Sequence, residues 1–169
     1  MSLSSALLPE FDMEMAKTRT ALARAPGDKF SWKPHERSFS FMELANHLAR
    51  LPGWGAATLK TESIDLDPEK GEFVQPPLAE TPEAVLAAFD QNVAEFRSAL
   101  VEASDEDLMK PWTLFRGGEE LLTMPRLAVV RGMILNHILH HRGQFTLYLR
   151  LNDLPVPALY GPSADEAGM

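Results

Sequence analysis

The sequence predicts an all-α bundle. Two observations carry that expectation. Four long segments repeat apolar residues at three- and four-residue steps, the pattern of one buried helical face. Only one short stretch, between Trp112 and Thr123, has hairpin character, which leaves strands little of the chain to occupy. At 169 residues the chain is long enough for one complete core, and residues 1–169 read as a single domain.

The first segment runs from about Ser5 to Ala25. Leu8, Phe11, Met15, Thr18 and Leu22 share a face, and Pro26-Gly27 stops it. Asp28 to Arg37, with Trp32, Pro34 and His35, has no period and reads as an ordered loop. The second segment opens on a capping box, Ser40-Phe41-Met42-Glu43, flanked by Phe39 and Leu44 as a hydrophobic staple. Its apolar side is Leu44, His47, Leu48, Leu51 and Trp54, so His47 falls on the core stripe. Pro52-Gly53 is expected to kink this helix or end it early.

Asp65 to Glu80 is loop-like, with Asp-Pro, Lys-Gly and Pro-Pro in it. The third segment starts at Thr81-Pro82-Glu83, an N-cap followed by proline at the first helical position and an acid in the first turn. Leu86, Phe89, Val93, Phe96 and Leu100 form its face. Ser104-Asp105-Glu106-Asp107 reads as a further cap and a short turn ended by Pro111. Trp112 to Thr123 reads either as a small hairpin turning at Gly117-Gly118 or as an irregular loop.

The last segment is the longest, from about Met124 to Leu151. Leu127, Val130, Ile134, Ile138, Phe145 and Tyr148 mark one face. At about 100° per residue, His137 and His141 lie inside that face, His140 lies toward its edge and Arg142 points well away. Leu135 and Leu139 make a second apolar strip, which suggests a dimer formed through this helix. The tail from Pro155 to Met169 reads as surface chain.

Composition narrows the function. The net charge of −8 argues against nucleic acid or an anionic membrane as partner, since both reward basic surface. There is no cysteine, which removes disulfides, thiolate ligands and a cysteine nucleophile. No apolar run reaches the length of a membrane span, and the first residues lack a basic and apolar leader, so a cytoplasmic protein is expected.

Three of the five histidines, His47, His137 and His141, are expected on core-facing stripes of two helices. His137 and His141 are four apart and project from one face a turn apart. A lone histidine on an apolar face is usually a satisfied core residue. Three together suit a divalent ion, because neutral imidazole is a good ligand and three rings leave a position open for water or substrate. The pair lacks the glutamate of the zinc-protease motif, Ile138 following His137 instead. From the residues alone both readings stay open.

The stretch His141-Arg142-Gly143-Gln144, with Tyr148-Leu149-Arg150-Leu151, Pro155-Val156-Pro157 and Tyr160-Gly161-Pro162-Ser163-Ala164-Asp165-Glu166, resembles the C-terminal signature of the DinB family. Trp32-Lys33-Pro34 and Glu43-Leu44-Ala45-Asn46-His47-Leu48 resemble the family's segment leading through its first ligand. The resemblance implies a four-helix bundle with up-down-down-up connections, often dimeric. It implies a divalent metal, commonly nickel or zinc, on His47, His137 and His141, and a long Asp65–Glu80 crossover between two helices running the same way. The wider superfamily includes thiol-dependent S-transferases and metal-dependent hydrolases. A metal-dependent enzyme with a small-molecule or external thiol substrate is therefore one expectation. A non-catalytic metal- or ligand-binding protein of a stress response is the other.

Neighbouring residues take expected roles. Gln144 faces the histidines and would bond a metal-bound water or orient a ligand. Glu43, one turn before His47, is the nearest general base by spacing, though its capping role accounts for it. Arg142 is expected to point outward and pair with Asp165 or Glu166. Gly143 would admit a closely approaching backbone. Trp32 and Trp54 would wall a pocket or simply pack.

Overall fold

The structure is a computed structural model, and it describes residues 2–67, 69 and 76–167. The elements in order are α1 (Leu3–Leu22), a 3-10 turn (Gly27–Lys29), α2 (Phe41–Lys60), β1 (Ser63–Asp65), α3 (Pro82–Glu102), α4 (Asp105–Met109), β2 (Pro111–Arg116), β3 (Glu119–Pro125), α5 (Arg126–Ala128), a π-helical stretch (Val129–Leu135) and α6 (Asn136–Leu151). Helix α2 packs on α3 and α6, and α1 packs on the same two. No helix among the described residues is long and apolar enough to cross a membrane.

The helix-start signals act as written. Ser40 and Glu43 exchange both capping-box bonds, Glu43 N–H to Ser40 Oγ at 3.2 Å and Ser40 N–H to Glu43 Oε2 at 2.7 Å. Thr81 accepts from the Ala84 amide with Pro82 just inside α3. The periodic faces form the core: Phe11, Leu44, Leu48, Phe89, Phe96, Leu100 and Phe145 are all at most 1% exposed.

The chain is not, however, a pure all-α four-helix bundle. It carries a three-stranded mixed sheet in the order β1-β2-β3. β2 and β3 form the antiparallel hairpin around Gly117 and Gly118, whose φ values of +63° and +86° suit the tight turn that a two-residue hairpin loop favours. β1 then adds in parallel to β2, Ile64 opposite Leu114. Asp65 fastens it by accepting from the Gly117 and Gly118 amides, both at 2.8 Å. A three-residue strand has no room for a period, so nothing in Ser63–Asp65 marks it.

Three further expectations are corrected. Pro52 neither ends nor shortens α2, which continues to Lys60. The carbonyl that loses its donor to Pro52 is that of Leu48; beside it Asn92 of α3 donates to the Ala49 carbonyl at 2.8 Å and ties the two helices there. The last helix begins at Arg126 rather than Met124, because Met124 and Pro125 still pair with Trp112 and Pro111 in the sheet. Leu135, 1% exposed, belongs to the core of its own chain, and the large apolar groups α6 leaves exposed are Leu147 and Leu151. The middle of the crossover read into Asp65–Glu80, residues 68 and 70–75, lies outside the described residues. Its described end is tied to α2: Asn46 bonds both the amide and the carbonyl of Ala79, and Arg50 donates to the Pro76 carbonyl.

Candidate metal centre

His47 comes from the second turn of α2, and His137 and His141 from the first turns of α6. Their packing brings the three rings together. His137 Nε2 lies 2.8 Å from His141 Nε2 and 3.3 Å from His47 Nε2. One nitrogen from each ring falls within 4.8 Å of the others, and this trio is a group able to hold a metal ion. His35 and His140 are exposed and outside it.

The outer nitrogens decide what the inner ones offer. Gln144 Oε1 accepts from His141 Nδ1 at 2.7 Å. The His137 ring donates to the Met133 carbonyl, a bond that favours its protonated form. With both outer positions used as donors, each neutral ring turns a lone pair inward. Two such lone pairs 2.8 Å apart repel unless a cation or a proton lies between them. An ion about 2.0–2.1 Å from each nitrogen would separate pairs of them by roughly 2.9–3.4 Å, near the observed spacings. The donor set therefore fits a divalent metal.

Electrostatics keep the rings unprotonated. Burial pushes the His47 pKa down to about 4, helped by His141, His137 and the Arg50 guanidinium. Burial also lowers His137 and His141, partly opposed by their bonds to Met133 and Gln144.

Gln144 thus contacts His141, not the point where the rings converge. Glu43 lines the adjoining cavity, but its carboxylate accepts from the Ser40 amide, which holds its pKa low, and Lys33 stands 3.8 Å away. Arg142 does point away from the histidines, yet it is 2% exposed and does not reach the tail acids. It pairs with buried Glu14 at 2.6 Å and donates to Tyr160. Asp165 and Glu166 are held instead by Arg150 and Arg24. Beyond its chain neighbours and its own helix backbone, no atom of the described residues lies within 4 Å of a Cβ placed on Gly143, so its expected close approach is not made within the chain. Tyr148 packs edge-on against Trp32 and Phe41 and donates to the Phe39 carbonyl.

Sequence reasoning missed the surroundings. Phe39, read as a staple, lies beside the site at a tilt, its ring 5.6 Å from His47 and 6.2 Å from His141. Beside the histidines opens a cavity of about 400 Å³, walled by α2, the π-helical stretch and β2. Trp54 lines it and Trp32 does not. Trp112 and Leu114, two apart on one face of β2, line it too. That alternation was the available signal.

Comparison with known proteins agrees with this architecture. The family model of the DinB superfamily matches residues 10–145. A crystal structure of a DinB-like protein from Bacillus cereus superposes with a TM-score of 0.71 at 21% identity, covering 92% of this chain and 97% of the other. A DinB-like protein from Bacillus subtilis gives 0.68 at 18%, covering 90% and 96%. At these identities the likeness is one of fold. No curated protein matches the chain.

Proposed function

The chain belongs to the DinB superfamily, and from that premise we propose that His47, His137 and His141 bind one divalent ion, nickel or zinc, in a metal-dependent enzyme acting on a small molecule. The observation that carries the metal is the convergence of three Nε2 atoms, two of them, on His137 and His141, in rings whose other nitrogen is already committed as a donor. When bound, such an ion lowers the pKa of a water or thiol at its open position and supplies a nucleophile near neutral pH. A thiol would have to come from outside, since the chain has no cysteine.

The chain's own residues do the rest. Gln144 and the Met133 carbonyl fix the tautomers of His141 and His137, so that Nε2 stays an acceptor. Phe39 lies beside the rings and limits water around them. Glu43 stays an ionised cap of α2. The cavity adjoining His47 and His137 favours turnover of a small molecule over storage of an ion alone, because a storage site has no use for apolar space beside it.

The test is elemental analysis of protein purified without a polyhistidine tag. About one divalent ion per chain is expected, with loss in His137→Ala and in His47→Ala; a metal-free wild type would refute the site. Activity follows from screening the loaded protein against ester and amide substrates, and against low-molecular-weight thiols with an electrophile.

The pH dependence has a definite sign. A ring whose folded pKa lies below its ordinary 6.5 favours the fold in its neutral form, so this contribution is complete above about 6.5 and is lost as pH falls toward the folded value. Protons compete for His47 only near pH 4. Equilibrium dialysis is expected to find metal retained below pH 6.5, since all three rings titrate below their ordinary value, and lost as pH approaches 4, where His47 takes up a proton. Half-release near 6.5 would mean that the rings are not desolvated.

A further inference from the structure

We infer that the cavity beside the histidines is the seat of an apolar group, and that the molecule this protein acts on is an amphiphile: an aliphatic or aromatic body in the cavity, carrying a compact metal-ligating head. The inference rests on the metal reading for the head and on the cavity alone for the body.

The cavity's volume, about 400 Å³, lies in the range of roughly 300–1,000 Å³ typical of small-molecule sites. Its deep wall is made by Trp112, Leu51, Val129 and Ile134, all at most 5% exposed. The Trp112 indole N–H is turned away onto Thr61 Oγ1 at 3.3 Å, so the ring presents carbon to the cavity. Of its polar lining side chains, His47 and His137 belong to the metal centre and Glu43 and Arg50 stand within a turn of His47 on α2, while the Thr58 hydroxyl is spent on the Trp54 carbonyl at 2.9 Å. One end of an occupant therefore meets imidazole and charge, and the rest meets hydrocarbon.

The rim gives a second argument. Phe39, Leu66 and Leu78 are large apolar residues with 45%, 36% and 38% of their surface in water, and all three line this one cavity. Single exposed apolar residues need no explanation, but a group of them around one opening marks a binding surface. They come from three separate pieces of chain: the lead into α2, the residue after β1, and the lead into α3. The small sheet thus has a role in this site, since β2 supplies Trp112 and Leu114, and β1 runs into Leu66.

The test uses alkyl hydroxamates, from acetohydroxamate to octanohydroxamate, titrated into metal-loaded protein by calorimetry. Each methylene that enters the cavity should tighten binding about fourfold until the space is full. Leu114→Trp, which fills the cavity, and Leu66→Glu, at the exposed rim, should each flatten that series while metal content stays as in the wild type. A flat series in the wild type, or a slope that survives both substitutions, overturns the inference. A second arm separates it from the metal reading. Octanol, which lacks the head, is titrated into metal-free protein and followed by the Trp112 indole N–H resonance. A saturable shift lost in Leu114→Trp supports the apolar seat even if no metal loads. No shift overturns it.

Discussion

Replacing Arg142 by methionine is expected to destabilise the protein by about 3–5 kcal/mol, the usual cost of removing one partner from a buried ion pair. Arg142 and Glu14 are 2% and 3% exposed. The guanidinium donates to the Glu14 carboxylate at 2.6 Å, to the Glu14 carbonyl at 3.0 Å and to Thr18 Oγ1 at 3.2 Å. Without it, the Glu14 carboxylate keeps the Tyr160 hydroxyl at 2.7 Å and Lys17 at 4.0 Å, too little to offset desolvation of a full charge. For a chain of this length the fall in Tm should be roughly 10–15 °C. Two controls identify the cause. Met at both Glu14 and Arg142 should recover most of the loss, because well-packed apolar pairs often equal buried ion pairs. Metal content of folded Arg142→Met should match the wild type, because the side chain leaves α6 away from the histidines. A Tm change under 3 °C in thermal melts would show that the pair contributes little.

That pair also shows where sequence reading stops. The four periodic segments and the caps at Ser40, Thr81 and Ser104 were legible because each is written in spacing within one helix; the meeting of His47 with His137 and His141 was legible because each falls on the core-facing stripe of its own helix and the family resemblance joined them. Arg142 was placed correctly off the histidine face but wrongly in solvent. Its partner Glu14 is 128 positions away on α1, and a helical wheel shows which way a side chain points, not what stands opposite. The sheet was hidden for a similar reason. Gly117-Gly118 announced a turn, but β1 is a strand only because β2 lies beside it. The cavity needed both pieces of information at once. The π-helical stretch from Val129 to Leu135 also disturbs the regular 100° step just before His137, and an intact apolar pattern gives no sign of it.

Gly55→Ala is expected to destabilise the protein by about 2–3 kcal/mol, against the usual direction of such a change. Within a helix, alanine normally stabilises by up to about 1 kcal/mol over glycine. At position 55 a Cβ would stand 2.3 Å from Phe96 Cε1, 2.4 Å from Cζ and 2.6 Å from Cδ1. Phe96 has no exposed surface and packs edge-on against Phe11 at 5.0 Å, so its ring cannot retreat without displacing a second buried ring. Overpacking of this kind costs about 1–3 kcal/mol and occasionally more, which outweighs the helix-propensity gain. The clash lies in the α2–α3 interface, on the helix that carries His47 two turns earlier. A shift of α2 there would also loosen the histidine cluster, so metal affinity should weaken along with stability. Gly143→Ala is the counter-case: it is exposed on α6 with open space around its Cβ, and it should raise Tm slightly. Thermal melts of the two variants should move in opposite directions. If Gly55→Ala is neutral or stabilising, α2 and α3 have room to separate, and the close approach at Gly55 is not what sets the distance between them.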